Sequence, residues 1–190
     1  MFIRGKILIV EGPDGVGKTT LINHIRKKYD NSYYMHLRVH KNMKLWHTAS
    51  ARLAIRKRLE GYLVLLDRHW PSEQFYSYIR SNGPSYDPKF LYNRLKDAGT
   101  NYVWCMPEDK TQVKENHRVN RTKRSEEYWD IDKVIDGYYH VWFSKVKVNN
   151  FICDLSPLNK RKDFIRYDMY KDGHKLDEFT SKLIDERYRY

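Results

Sequence analysis

The sequence predicts an α/β fold: a five-stranded parallel sheet between layers of helices, with a mobile lid over one end. Two observations carry that prediction. Short apolar runs alternate with segments of helical period along most of the chain, the order produced by right-handed crossovers between parallel strands. Residues 11 to 20 read Glu-Gly-Pro-Asp-Gly-Val-Gly-Lys-Thr-Thr, a complete glycine-rich phosphate-binding loop set between such a run and such a segment. The architecture expected is therefore the three-layer sandwich built around a P-loop.

The elements follow in order. Residues 6 to 11 are almost wholly aliphatic, as in a strand covered on both faces. Leu21, Ile22 and Ile25 then repeat at helical spacing from Lys18 to Tyr29. A second strand spans Tyr33 to Leu37 and ends at Arg38, followed by a helix over Leu45 to Leu59 closed by Glu60-Gly61. The third strand is Tyr62 to Leu66. Asn82-Gly83-Pro84 and Asp87-Pro88 punctuate the route to a helix at Lys89 to Lys96, and the fourth strand is Tyr102 to Met106. Beyond the charged stretch from Glu108 to Asp130, Ile131, Val134, Ile135, Tyr138, Tyr139 and Trp142 mark the core face of another helix. Phe164 to Tyr167 is the fifth strand; Leu176, Phe179, Leu183 and Ile184 mark a closing helix.

One loop in 190 residues indicates a single domain covering the whole chain, its lid near residues 108 to 130. Charged residues make up 32% of the chain and apolar ones 41%, which excludes a disordered protein. No run is long enough to span a bilayer, and Met1 to Arg4 lead directly into the first strand, so no membrane role and a cytoplasmic location are expected. Cys105 lies within the apolar run of the fourth strand and reads as core. With Cys153 it forms neither a zinc pattern nor an expected disulfide. The 36 Lys and Arg against 24 Asp and Glu give a net charge of +12, which favours polyanionic partners. The cations are spread over Arg26-Lys27-Lys28, Lys41, Lys44, Arg52, Arg56-Lys57-Arg58 and Lys160-Arg161-Lys162. A solvated basic surface and contact with DNA phosphates account for them equally well.

The chemistry expected of the loop follows from its residue types. Gly12, Gly15 and Gly17, with Pro13, Asp14 and Val16 between them, let the backbone curl so that N–H groups face a phosphate chain. The helix beginning at Lys18, Thr19 and Thr20 adds its positive end. Lys18 can neutralise the β- and γ-phosphates of ATP, and the Thr19 hydroxyl can hold Mg²⁺. In a parallel sheet the ligand sits at the carboxyl ends of the strands. There the third strand delivers Asp67-Arg68-His69-Trp70-Pro71-Ser72-Glu73-Gln74-Phe75-Tyr76. Asp67 can orient water on Mg²⁺, while Arg68 can grip a second phosphate bidentately.

These residues resemble the thymidylate kinase family, both in the form of the loop and in the Asp67-Arg68-His69 signature with Ser72, Gln74 and Tyr76. The element order matches over most of the chain. The resemblance implies transfer of the ATP γ-phosphate to dTMP or a related deoxynucleotide, and it is compatible with a homodimer. It also implies that Asp14 approaches the deoxyribose 3′-hydroxyl, Arg68 and Arg38 the acceptor phosphate, and Tyr76 the sugar or base. The sequence departs from the family where specificity is set. Arg38 is followed by Val39-His40-Lys41 instead of Glu-Pro-Gly-Gly, and Ser77 replaces a glutamine. In place of the aromatic-x-x-x-Arg pair that reads thymine, Trp46 and Arg52 stand nearest, at another spacing.

Gly15 occupies a position where some relatives carry an arginine, so transition-state charge must be met from the lid. His117, Arg118, Arg121, Lys123 and Arg124 supply cations there, and Arg118, Arg121 and Arg124 fall at three-residue steps along one helical stripe, with Arg121 and Arg124 taken as catalytic. A lid so built closes over ATP and excludes water. Three catalytic readings follow: a thymidylate-kinase-like enzyme; a kinase acting on a base hydroxyl within DNA, such as 5-hydroxymethyluracil; and a deoxynucleoside kinase, whose lid Arg121-x-x-Arg124-Ser125-Glu126-Glu127 also resembles. A nucleotide-gated DNA-binding module is the non-catalytic alternative.

Overall fold

The computed structural model describes residues 5–81, 86–121, 131–143 and 164–184. β1 (Lys6–Glu11) is buried at every position, because its aliphatic side chains face helices on both sides of the sheet. α1 (Lys18–Lys28) follows the loop and buries Leu21, Ile22 and Ile25 on one stripe. β2 (Ser32–His36) is an edge strand and only partly covered. α2 (Met43–Leu59) starts where the Asn42 side chain accepts the Leu45 N–H at 3.0 Å. β3 (Leu63–Asp67) is fully buried.

α3 (Trp70–Ser81) and α4 (Lys89–Asp97) lead to β4 (Asn101–Cys105). α5 (Lys110–Arg121), α6 (Ile131–Phe143), β5 (Phe164–Tyr167), α7 (Met169–Asp172) and α8 (Leu176–Ile184) complete the order, with a 3₁₀ turn at Gly173–Lys175. The five strands run parallel in the order β2-β3-β1-β4-β5. The strand order reverses beside β1, so the crevice above β1, β3 and β4 is where a ligand fits.

Aromatic side chains pin the helices to the sheet. Trp70 donates its indole N–H to the Tyr102 hydroxyl at 3.2 Å, fixing α3 on β4. Phe75 stacks on Tyr138 at 4.1 Å between ring centres, joining α3 to α6, and Tyr102 stacks on Phe164 at 4.4 Å across β4 and β5. Val134, Ile135, Tyr138 and Tyr139 are buried, as the helical period of α6 predicts, and Cys105 is a buried free thiol.

The sequence expectations need adjustment at six elements. β2 and β3 are each displaced by one residue, so β2 ends at His36 and β3 carries Asp67 as its last residue. β4 begins one residue earlier than expected, at Asn101, and α2 begins two earlier, at Met43. α3 is a helix in a stretch to which the sequence reading assigns no element; its Pro71 in the first turn and Glu73 near the N-terminus are ordinary helix-start signals. α7 is a single turn capped by Asp168, too short to show a period.

Candidate active site

The loop and the end of β3 meet at the carboxyl edge of the sheet. Gly12 has φ of 142°, and a Cβ there would lie 2.2 Å from the Cys105 carbonyl oxygen, so the loop leaves β1 hard against β4. Gly17, at φ 83°, turns the chain into α1, with Met169 of α7 packed over it. Lys18 folds back along the loop, donating to the carbonyls of Gly12 at 3.0 Å and Pro13 at 2.5 Å. Burial and the Arg68 charge push its ammonium down to about 8, against the pull of Asp14.

Arg68 is the sole non-glycine residue with positive φ among the described residues, at 68°. Such a conformation costs about 1–2 kcal/mol for an L-residue, and it is held by what surrounds it. Its backbone N–H bonds the Val10 carbonyl at 3.0 Å. The next residue, His69, gives its backbone N–H to Glu11 Oε1 at 2.6 Å, while Ser72 donates to Glu11 Oε2 at 2.5 Å and Tyr138 to the same oxygen at 3.2 Å. Burial pushes the Glu11 carboxyl upward, opposed by the Ser72 hydrogen bond and the charge of Arg68. Glu11 thus ties β1, α3 and α6 together directly beneath the loop.

The strained backbone aims the guanidinium into the crevice. Arg68 Nη2 donates to Asp14 Oδ1 at 2.5 Å, Nη1 reaches Ser72 Oγ at 3.4 Å, and the group lies over the Tyr76 ring at 4.8 Å. Tyr76 in turn donates to Asp14 Oδ2 at 3.4 Å, and Lys18 stands 3.9 Å from the Asp14 carboxylate. Burial acts to raise the Asp14 carboxyl, but Arg68 and Lys18 outweigh it and hold it at about 2; His117 of α5 adds to that pull. Three residues expected to face the acceptor, Asp14, Arg68 and Tyr76, are therefore in mutual contact beside Lys18.

Asp67 lies at the adjoining corner. Its Oδ2 accepts from the Tyr34 hydroxyl at 3.1 Å and pairs with His36 Nδ1 at 2.9 Å, whereas Oδ1 is buried with no hydrogen-bond partner among the described residues. An unpartnered buried carboxylate oxygen at the end of β3 and the Thr19 hydroxyl at the start of α1 fit a hydrated Mg²⁺ carried with nucleotide phosphates. Among the described residues, no group of three His, Cys, Asp or Glu could hold a metal ion on its own. Mg²⁺ here would need phosphate and water as its other ligands.

Other expected site residues fall elsewhere. Trp46 does not join the Asp14–Arg68–Tyr76 cluster; it sits on the first turn of α2, 40% exposed, stacked on His40. Arg38 is exposed in the connection after β2. Arg118 is exposed and pairs with Asp132 at 3.3 Å. α5 carries the first part of the expected lid; the Arg121 side chain, Lys123, Arg124, Glu126, Glu127 and Lys160 to Lys162 lie outside the described residues. Sequence reading missed Glu11, although its place immediately before the loop was visible. It also missed the Asp168 cap, which accepts the Glu108 N–H at 2.7 Å and so braces the ends of β4 and β5.

No protein-family model and no curated protein matches the chain. Among solved structures, the chain is similar to YorR from Bacillus subtilis in complex with phosphorylated GDP. That match has a TM-score of 0.62 at 16% identity, covering 97% of this chain and 99% of that one. A gluconokinase from Sinorhizobium meliloti superposes with a TM-score of 0.52 at 9% identity, covering 99% and 98% of the two chains. Polyphosphate kinase 2 from Arthrobacter aurescens gives a TM-score of 0.56 at 13% identity, over 96% of this chain and 68% of that chain. At these identities the likeness is one of fold: a five-stranded parallel sheet flanked by helices, carried here with a glycine-rich loop between β1 and α1.

Proposed function

We propose that the protein is an ATP-dependent phosphotransferase of thymidylate kinase type, moving the ATP γ-phosphate to dTMP or a related deoxynucleoside monophosphate. The observation that carries this reading is the Arg68 guanidinium, turned by a positive φ toward Asp14 and Tyr76 and standing across from Lys18. It gives the crevice two cations in two subsites. Lys18 and the loop N–H groups serve the donor phosphates, and Arg68 serves an acceptor phosphate by its planar fork. Asp14, already ionised, accepts a hydrogen bond from an acceptor hydroxyl, and Tyr76 supplies a wall for the sugar or base. Thr19 and Asp67 would hold Mg²⁺, which neutralises charge on the β- and γ-phosphates when bound. Arg121 and Arg124 are assigned to the lid as the cations that meet transition-state charge, and His117 of the same helix, α5, is close enough to Asp14 to act on its carboxylate. A polyphosphate kinase and a gluconokinase among the solved structures of similar fold, and a further structure of that fold in complex with phosphorylated GDP, support this reading.

A second reading, a kinase for a base hydroxyl within DNA, is favoured by Trp46 and Arg38 lying at the surface and by the net charge of +12. γ-Labelled ATP offered to dTMP, other nucleoside monophosphates, nucleosides and hydroxymethylated DNA decides between them. Labelling of dTMP supports the first reading, whereas labelling of modified DNA with dTMP untouched replaces it with the second. Stoichiometric ATP binding without transfer to any acceptor removes both.

A further inference from the structure

A separate feature lies beyond the edge strand, outside the crevice. Residues 31 to 59 contain Arg38, Lys41, Lys44, Arg52, Arg56, Lys57 and Arg58 but no Asp or Glu. Arg56 and Lys57 are neutralised by Glu60, at 3.0 and 2.6 Å. Arg38, Lys41 and Lys44 are exposed and form no ion pair with any described residue. The same stretch of chain carries an exposed aromatic pair, His40 and Trp46, stacked at 5.5 Å with 22° between planes, next in sequence to Val39 and Leu45, which are 69% and 62% exposed.

The arrangement is built, not loose. The Asn42 N–H donates to His40 Nδ1 at 3.1 Å, the Asn42 side chain caps α2 through Leu45, and the His40 N–H meets Met43 Sδ at 3.1 Å. His40 is thus fixed as a backing plate for the indole, leaving little ordering to be done on binding. Unpaired cations in one short stretch with a flat, exposed aromatic face match a repeating phosphate backbone with accessible base faces. A duplex hides those faces; a single strand offers them. A lone nucleotide is a poorer fit, because its few phosphates are already served by Lys18 and Arg68 in the crevice.

We propose that the β2–α2 connection and the first turn of α2 form a docking platform for single-stranded nucleic acid. Arg38, Lys41 and Lys44 contact its phosphates, and Trp46, backed by His40, lies under a base. The platform goes beyond the phosphoryl-transfer reading and stands whichever acceptor the crevice takes, so its test uses binding without ATP or turnover.

The test is fluorescence anisotropy of labelled oligo(dT) with the full chain, titrated over a range of salt concentrations. Lys41→Gln with Lys44→Gln should weaken binding at least about fivefold at low salt. It should also make the log–log salt slope shallower by about 1.4, each single-strand phosphate contact contributing about 0.7. Trp46→Ala should weaken binding about tenfold with the slope unchanged, the signature of a lost stack. Lys96→Gln, an exposed cation on α4, should change neither quantity. Oligo(U) binding with the same dependence on these residues would place the platform's preference with polynucleotides in general and still support it. Failure of the wild type to bind the strand would overturn the proposal. So would tighter binding of a duplex, an unchanged slope in the double variant, or an equal loss in Lys96→Gln. Melting curves of each variant confirm that the exposed substitutions leave the fold intact.

Discussion

Arg68 and Asp14 are joined at 2.5 Å although 54 positions separate them, and the contact exists because Arg68 adopts a left-handed backbone conformation at the end of β3. An extended Arg68 would continue the strand direction and carry its guanidinium away from the loop. Strain at this residue therefore sets where the guanidinium stands relative to the loop.

Replacing Arg68 by glycine and by alanine separates strain from chemistry. Both remove the guanidinium, so both should lose acceptor binding equally. Glycine accepts φ of 68° freely while alanine does not, so Arg68→Gly should be more stable than Arg68→Ala by about 1 kcal/mol, opposite to the usual order at a loop site. Urea melts of the two variants measure the difference; equal midpoints would show that the backbone relaxes once the side chain is gone.

Asp14 gives a pH signature. Its folded value of about 2 lies below the ordinary carboxylate value near 4. The stability it contributes is therefore fully present above about pH 4 and lost as pH falls through about 2. The carboxylate is more than half exposed, so solvent screening leaves about 1 kcal/mol at neutral pH. Asp14→Asn should be less stable than wild type by that amount at pH 7, with the two melting curves converging as the pH approaches 2. A gap that persists unchanged in acid would place the effect in packing instead of charge.

The fold was legible where burial is two-sided and periodic. Lys6 to Glu11, the loop and the α6 stripe of Val134, Ile135, Tyr138 and Tyr139 stand in the structure as their patterns require. α3 was not legible because the polar residues Ser72, Glu73 and Gln74 interrupt any apolar stripe after Asp67-Arg68, so the segment shows chemistry at a strand end before it shows a helical period. Within the site, Asp14, Arg68 and Tyr76 converge, but nothing local in the sequence shows that Glu11 meets Tyr138 across 127 positions. Contacts of that span depend on the whole topology. Trp46 was drawn toward the site by its residue type, while its position on the outer turn of α2 is set by the Asn42 cap.

Glu11 should therefore matter without touching substrate. Glu11→Ala leaves the buried His69 N–H without its acceptor, and of the Ser72 and Tyr138 hydroxyls, 3.1 Å apart, only one can then donate to the other, which should cost about 2 kcal/mol or more. Glu11→Gln, which keeps one carbonyl for the His69 N–H, should recover much of that loss. Thermal melts of the pair test this, and similar melting points for Glu11→Ala and wild type would exclude Glu11 as the tie beneath the loop.

Lys18→Ala should fold normally yet lose most phosphoryl transfer, by a factor of about a hundred or more, because its charge stabilises the transferring group. Circular dichroism with single-turnover labelling from γ-labelled ATP checks both halves. A folded Lys18→Ala variant turning over near the wild-type rate would remove the loop from the chemistry.

The two-subsite arrangement is tested most directly by steady-state kinetics of Arg68→Ala with γ-labelled ATP and dTMP. The KM for the acceptor should rise by about two orders of magnitude while the KM for ATP stays within about twofold of wild type, and Arg68→Lys should recover only part of the loss. Collapse of ATP affinity with an unchanged acceptor KM would contradict that arrangement, by showing that Arg68 belongs to the donor side of the crevice.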